Sequence, residues 1–224
     1  MRPVLLNVAA RLLDEEGPHA LSARRIAAEA GCSTSVLYTH FDGMAGLMQE
    51  LVSEGFSRLD NCFLAVKATD DPVTDMALLG RAYRWNAREN RHLYAVMFGS
   101  AEISAFALGE RDRQQGRYTL THVMHCAERC ISADRFSIED AELVAHQMWL
   151  SVHGLVSLEL GDYLPAPYDA DRCFEAMLVA LMVGVGDTQE RAARSVALSR
   201  PRLGDITTGR AQSAAQSAAR IAAP

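Results

Sequence analysis

Apolar residues recur along the chain at intervals of three and four, the period of one face of an α-helix, and no convincing strand pattern or internal repeat interrupts them. Val4, Leu5, Val8, Leu12 and Leu13 predict a first helix from about Pro3 to Gly17, with proline in a first-turn position where its missing N–H costs nothing. Gly17-Pro18 stops it. Ser22 is placed to cap a second helix that carries Ala23, Ile26, Ala27 and Ala30 on one face. Gly31 supplies the positive φ of a sharp corner. Ser33 or Thr34 then opens a third helix, with Leu37 and Phe41 four residues apart on its inner side.

Longer helices follow over about 44–66, 72–89, 110–131, 137–161 and 170–186, with a short one over 91–98. Ser137 with Asp140 reads as a capping box for the eighth, and Asp169 or Asp171 as the start of the ninth. Residues 99–109 and "GDYLPAPYD" (161–169) read as connectors, and 189–198 as further helix. From Ser199 the composition turns to Ala, Ser and Gln, which predicts a mobile or weakly helical tail. The expected fold is all-α: a three-helix helix-turn-helix domain over 1–45, a larger helical ligand-binding and dimerisation domain over 46–198, and the tail over 199–224.

Two helices of seven or eight residues cannot stand alone in water, where about 12–15 residues are needed. They make sense as a braced pair whose second member lies in a DNA major groove, which meets only a few side chains. With Leu37 and Phe41 turned inward, Thr34, Ser35 and Tyr38 fall on the outer face, where hydroxyls can bond base edges or phosphates and a threonine methyl can meet a thymine methyl. Tyr38 and His40 can reach phosphate, and Arg24 lies off the buried face of the second helix. Charge limits this reading: residues 1–60 hold five arginines against eight acids, so binding is expected to be modest per subunit and to need two recognition helices.

Residues 1–60 resemble the N-terminal domain of the TetR family of bacterial transcriptional repressors. The likeness is carried by Ser22, Ile26-Ala27, Ala30-Gly31, Ser33, "VLYTHF" (36–41) and Leu47. It implies that Thr34, Ser35, Tyr38, Thr39 and His40 touch operator DNA, with Ser22 and Arg24 at contact positions of the second helix; Ser33 completes the candidate DNA-binding set. Two departures stand out: Met44 occupies a position where the family often has a phosphate-binding lysine, and the chain begins almost at helix one, where the family often has a basic arm. "YRWNARENRHLYAVMFG" (83–99) and "WLSVHGLVSLELG" (149–161) resemble a subgroup with a WHG-type C-terminal domain, the likeness resting on Trp149, His153 and Gly154.

The eighth and ninth helices are apolar nearly all round. In the ninth, Phe174, Met177, Leu178, Leu181, Met182 and Val185 form one stripe, while Val179, Ala180 and Val183 cover another side. A surface helix needs only one stripe. A homodimer through helices eight and nine is therefore expected, as the resemblance also implies. An effector pocket is expected among helices five to eight, lined by Trp85, Tyr94, Met97, Phe98, Met124, Met148, Trp149 and His153, a set suited to a mid-sized, partly apolar molecule. For any one of these residues, plain core packing is the commoner reading.

Composition adds a few exclusions. Net charge is −6, so polyanion binding must come from a local surface. The basic residues are arginine except for Lys67. Five scattered cysteines without a CxxC pair, behind an N-terminus that reads as an amphipathic helix, predict reduced thiols in a cytoplasm. The longest apolar stretch, 176–186, is too short to span a bilayer, which takes about 20 residues, so no membrane partner is expected. His122, Cys126 and Cys130 share one helical face, but their outer members lie about 12 Å apart along it, too far for one zinc ion to bridge all three. No phosphate loop, nucleophile elbow or HExxH is present, and no cofactor, resident metal or enzymatic activity is expected. The reading is a ligand-responsive, one-component repressor acting on a near-palindromic duplex operator. The alternative is an all-α small-molecule-binding or metal-sensing protein with weak or no DNA binding.

Overall fold

Local capping chemistry sets the ends of the first helices in the computed structural model, which describes residues 1–98 and 110–222, with side chains through 208 except those of 110–113 and 115. Helix α1 (Arg2–Glu16) ends at Gly17, whose φ of 83° is open to glycine, and a short 3-10 turn, Pro18–Ala20, leads on. The Ser22 hydroxyl accepts the Arg25 amide at 3.3 Å and starts α2 (Ala23–Glu29). Gly31, at φ 66°, makes the corner into α3 (Thr34–Phe41). Ser33 occupies the cap position of α3 without bonding an amide, which leaves its exposed hydroxyl uncommitted to the helix. Asp42 ends α3 in the left-handed region.

The remaining described elements are α4 (Met44–Leu64), α5 (Pro72–Glu89), α6 (Arg91–Met97), α7 (Glu110–Ser132), α8 (Ala141–Leu160), α9 (Ala170–Gly184) and α10 (Gln189–Ala222). All regular structure among the described residues is helical, as expected. The loop expected over 99–109 lies outside the described residues.

The chain divides into two compact units. One holds Met1–Asp60 and Asn86–Thr119; the other holds Asn61–Trp85 and Leu120–Pro224. In the first, Leu5, Leu12, Leu13, Ile26, Leu37, Leu47 and Leu51 are fully buried and pack α1–α4 around one core. Gly55 of α4 admits Met97 of α6, whose Sδ lies 2.5 Å from where a Cβ would stand. In the second, Phe174, Leu178 and Met182 of α9 form the buried stripe expected of that helix.

One expectation needs correction, and one region is more ordered by specific contacts than its composition suggests. Helix α8 begins at Ala141, not 137: Asp140 is the cap and accepts the Leu143 amide at 2.9 Å. Ser137 instead donates its backbone N–H to the Val185 carbonyl at 2.9 Å, so its segment is held by the end of α9 rather than by a helix of its own. The stretch from Ser199, expected to be mobile or weakly helical, continues α10 as helix to Ala222. Its anchors are polar and long-range. The Ser199 hydroxyl accepts from Arg81 Nε at 2.7 Å, Arg202 donates to Asp75 at 2.7 Å and to the Lys67 carbonyl at 2.6 Å, and Ile206 is buried.

One polar cluster ties α5, α7 and α10 together inside the second unit. Arg135, just after α7, donates to both oxygens of Asp187 (3.1 and 2.5 Å), to Asp71 (2.7 Å) and to the Ser195 hydroxyl (3.0 Å). Ser195 and Thr74 in turn donate to Asp71 at 2.6 and 2.7 Å. Burial pushes the Asp71 carboxyl up, but the Ser195 and Thr74 hydroxyls and the Arg135 guanidinium outweigh it and hold it below the ordinary carboxylate range.

Candidate nucleic-acid interface and effector region

The eight candidate DNA-binding residues all lie on α2, α3 or the turns that cap them. Leu37 and Phe41 are buried, at 0 % and 4 % exposure, and fix the inner side of α3. Tyr38 is 57 % exposed; Ser33, Ser35, Thr39 and His40 are exposed and Thr34 is half-buried. The inside–outside division read from spacing is thus present in the packing. Thr39 already donates its hydroxyl to the Ser35 carbonyl at 2.9 Å, which leaves its methyl and its oxygen lone pairs for an outside partner. Gly43 leaves room for the Tyr38 ring: a Cβ there would stand 3.2 Å from the ring edge, and φ is 94°. Ser22, at the cap of α2, and Arg24, in its first turn, are exposed.

The other arginines of the head, residues 1–60, are spoken for. Arg25 donates to both oxygens of Glu16 (2.8 and 2.5 Å) and to Glu29 (3.3 Å). Arg11 donates to Glu15 at 2.8 Å and also to Glu29. Arg2 pairs with Glu50 at 2.7 Å and lies 5.2 Å over the Phe41 ring. Arg58 donates to Glu54 (2.9 Å) and Asn90 (2.7 Å) and stands 3.5 Å from Asp14. Spacing alone could show only the pairs four residues apart; those joining α1 to α2 are set by tertiary packing.

The candidate effector residues fall into two groups, one in each compact unit. Tyr94, Met97 and Phe98 belong to the first, where the Phe98 ring meets Tyr94 (4.8 Å between centroids) and Phe56 (5.9 Å, edge on). Trp85, Met124, Met148, Trp149 and His153 belong to the second. There His153 lies 5.8 Å from Trp149, ring to ring, and its Nδ1 is 2.9 Å from the Tyr83 hydroxyl. Tyr83 is a polar contact that sequence reasoning missed, since an isolated tyrosine on α5 carries no pattern of its own. Trp85, Met124, Trp149 and His153 are half-buried, while Met148 is buried.

Burial lowers the His153 pKa below its ordinary 6.5, so the imidazole is neutral near pH 7. A base whose folded pKa is depressed stabilises the fold above its unfolded pKa, and that contribution fades as pH falls. Thermal melts between pH 7.5 and about 5 are therefore expected to show a steeper loss of Tm for the native chain than for His153→Gln; parallel curves would contradict this.

The metal-capable trio of α7 is otherwise engaged. Cys126 Sγ faces the Pro72 carbonyl at 3.3 Å, His122 packs edge-on against Phe63 at 5.8 Å, and Cys130 is fully buried. The contact with Cys126, together with burial, pushes the Cys130 thiol up, away from the thiolate a metal needs. No group of three metal-capable side chains is gathered among the described residues, and no described helix is long and apolar enough to cross a membrane.

A short braced helix, a glycine corner and an exposed second helix of eight residues, followed by a larger helical region, define a helix-turn-helix regulator. Comparison with known proteins makes this specific. Residues 5–51 match the bacterial regulatory proteins of the tetR family, and residues 76–181 match the tetracyclin repressor-like C-terminal domain. The chain belongs to the TetR family of transcriptional regulators, and is a DNA-binding regulator with a ligand-binding C-terminal domain. It is similar to the HTH-type transcriptional regulator BetI of Vibrio parahaemolyticus, with 26 % identity over 159 residues, 69 % of this chain and 77 % of that one. Among solved structures, a protein of unknown function from Rhodococcus sp. RHA1 superimposes with a TM-score of 0.72 at 27 % identity, covering 83 % of this chain and 95 % of the other. The TetR-family regulator PfmR from Thermus thermophilus shares the fold, with a TM-score of 0.60 at 17 % identity over 80 % of this chain and 97 % of its own.

Proposed function

We propose that the chain is a ligand-responsive, one-component repressor that binds a near-palindromic operator as a homodimer, each subunit laying α3 in one major-groove half-site. The carrying observation is the outward edge of α3, with Ser35, Tyr38, Thr39 and His40 exposed and Thr34 half-buried, held from behind by Leu37 and Phe41. Ser22, Arg24 and Ser33 extend the same contact set.

The dimer reading is supported by α8 and α9. Leu143, Leu150 and Leu158 of α8 are exposed, at 47 %, 61 % and 48 %. Gly154 on α8 and Gly184 at the end of α9 are exposed, with open space where a Cβ would stand. A glycine inside a helix costs about 1 kcal/mol relative to alanine, and nothing within the subunit requires Gly154. A second copy of the chain, bringing its own helices close, supplies a reason for both the glycines and the leucines. An effector held near Trp149, His153 and Tyr83 would act by altering the spacing of the two reading heads, because half-sites on DNA recur at a fixed separation.

The test is enrichment of duplexes from a random pool, followed by binding to the winner. A near-palindromic site is expected. Thr34→Ala with Tyr38→Ala is expected to weaken its capture at least tenfold, on the scale of about 1–3 kcal/mol per lost base contact. Leu150→Glu is expected to give a monomer in sedimentation and to weaken capture as well. Undiminished capture by the double variant would overturn the assignment of α3. A pool that enriches nothing would leave a small-molecule-binding protein whose acidic head does not act on DNA.

A further inference from the structure

The head domain has an unusual charge arrangement for a surface that meets a polyanion. Its five arginines face eight acids. Four of the five are committed: Arg2 to Glu50, Arg58 to Glu54 and Asp14, and Arg11 and Arg25 to a continuous ladder, Glu15–Arg11–Glu29–Arg25–Glu16. The ladder joins α1 to α2 on an exposed surface and contains three carboxylates against two guanidinium groups. The hydrogen bond from Arg11 holds the Glu29 carboxyl below its ordinary value, so the ladder stays ionised near neutrality. Among the described residues, Arg24 alone of the head arginines is exposed with no carboxylate or hydrogen-bond partner.

We infer that Arg24 is the one cation through which each head neutralises duplex phosphate, so that this regulator reads its operator with an unusually weak dependence on salt. The inference rests on the DNA-binding reading above and deepens it. Surface ion pairs are individually weak, about 0–1 kcal/mol, and Arg11 or Arg25 could swing toward a phosphate. The carboxylates would then be left beside the same phosphate, and the ladder as a whole would bring no net positive charge. Counterion release follows net neutralisation, so the ladder adds little to it. Discrimination is left to the hydroxyls and the aromatic edge of α3.

The experiment measures the dissociation constant of the full-length dimer for its pool-enriched duplex between about 50 and 200 mM salt at about pH 8, where ordinary histidines are uncharged. One phosphate per head, two per dimer, predicts a log–log slope of about −1.8 and roughly a tenfold loss of affinity across that range, against about 10³–10⁵ for a protein making six to ten phosphate contacts. Arg24→Gln is expected to flatten the slope toward zero. Glu16→Gln combined with Glu29→Gln, which removes both carboxylates that hold Arg25 and leaves two guanidinium groups against one carboxylate, is expected to steepen it by about 0.9 per head and to tighten binding at the low-salt end. A native slope steeper than about −3, the mark of more than three phosphates neutralised per dimer, or slopes unmoved in both variants, overturns the inference while leaving the regulator intact. Failure to enrich any duplex overturns the regulator reading itself, and this inference with it.

Discussion

Replacing Asp187 by alanine is expected to lower the melting temperature by about 10 °C, from a loss of about 3–5 kcal/mol at roughly 2–4 °C per kcal/mol for a chain of this size. Its side chain has no exposure, and its main partner, Arg135, is 8 % exposed. Removing the carboxylate leaves a buried guanidinium whose remaining partners are Asp71 and a hydroxyl. The penalty comes from the charge left behind more than from the bond lost. A hydrophobic replacement of both partners, Arg135→Met with Asp187→Leu, is therefore expected to recover part of the deficit even though it removes more hydrogen bonds. Thermal melts of the single and double variants check this. A double variant less stable than Asp187→Ala alone would mean that the cluster stabilises through its bonds, and that the stranded charge is not the source of the loss.

Gly46→Ala is the second large effect, and it bears on the head alone. A Cβ at position 46 would stand 1.7 Å from the Phe41 carbonyl oxygen and 2.8 Å from its carbon. These are backbone atoms, so no side chain can rotate out of the way. The first turn of α4 must move off the last turn of α3, loosening Phe41, which is 4 % exposed and is the inner anchor of α3. Overpacking of this kind costs about 1–3 kcal/mol and sometimes more, and here the upper end is expected. Duplex capture should fall with it, because the outer edge of α3 is aimed by that contact. Gly31→Ala serves as a comparison: it carries the strain of φ 66° but meets nothing within 4 Å, so it is expected to cost less. Melting and duplex titration of the two variants side by side would show whether the close approach or the backbone angle matters more.

The contrast between these positions shows which features the chain announces locally. The corner of the head was legible because its signals are local: a serine cap, a glycine of positive φ and two apolar residues four apart. Gly46 was not, since nothing in its neighbours announces that a carbonyl five residues back presses on it. The buried stripe of α9 was legible through periodicity. The continuation of α10 was not, because composition measures apolar content while its anchors are a serine, an arginine and one isoleucine with distant partners. The start of α8 is hidden for a related reason: Ser137 looks like a cap, but its amide bonds Val185, 48 residues away in the chain. In the candidate site, the outward residues of α3 followed from helical geometry, whereas the commitment of Arg11 and Arg25 depended on how α1 and α2 pack.

The anchoring of α10 has a practical consequence for anyone trimming the chain. A cut after Leu198, inviting on composition, would strip the hydroxyl from Arg81 and one of the two guanidinium partners from Asp75, which is 1 % exposed. A cut after Thr208 keeps Ser199, Arg202 and Ile206 in place. The shorter product should express as an aggregation-prone species and the longer one as a well-behaved protein, although they differ by only ten residues of unpromising appearance.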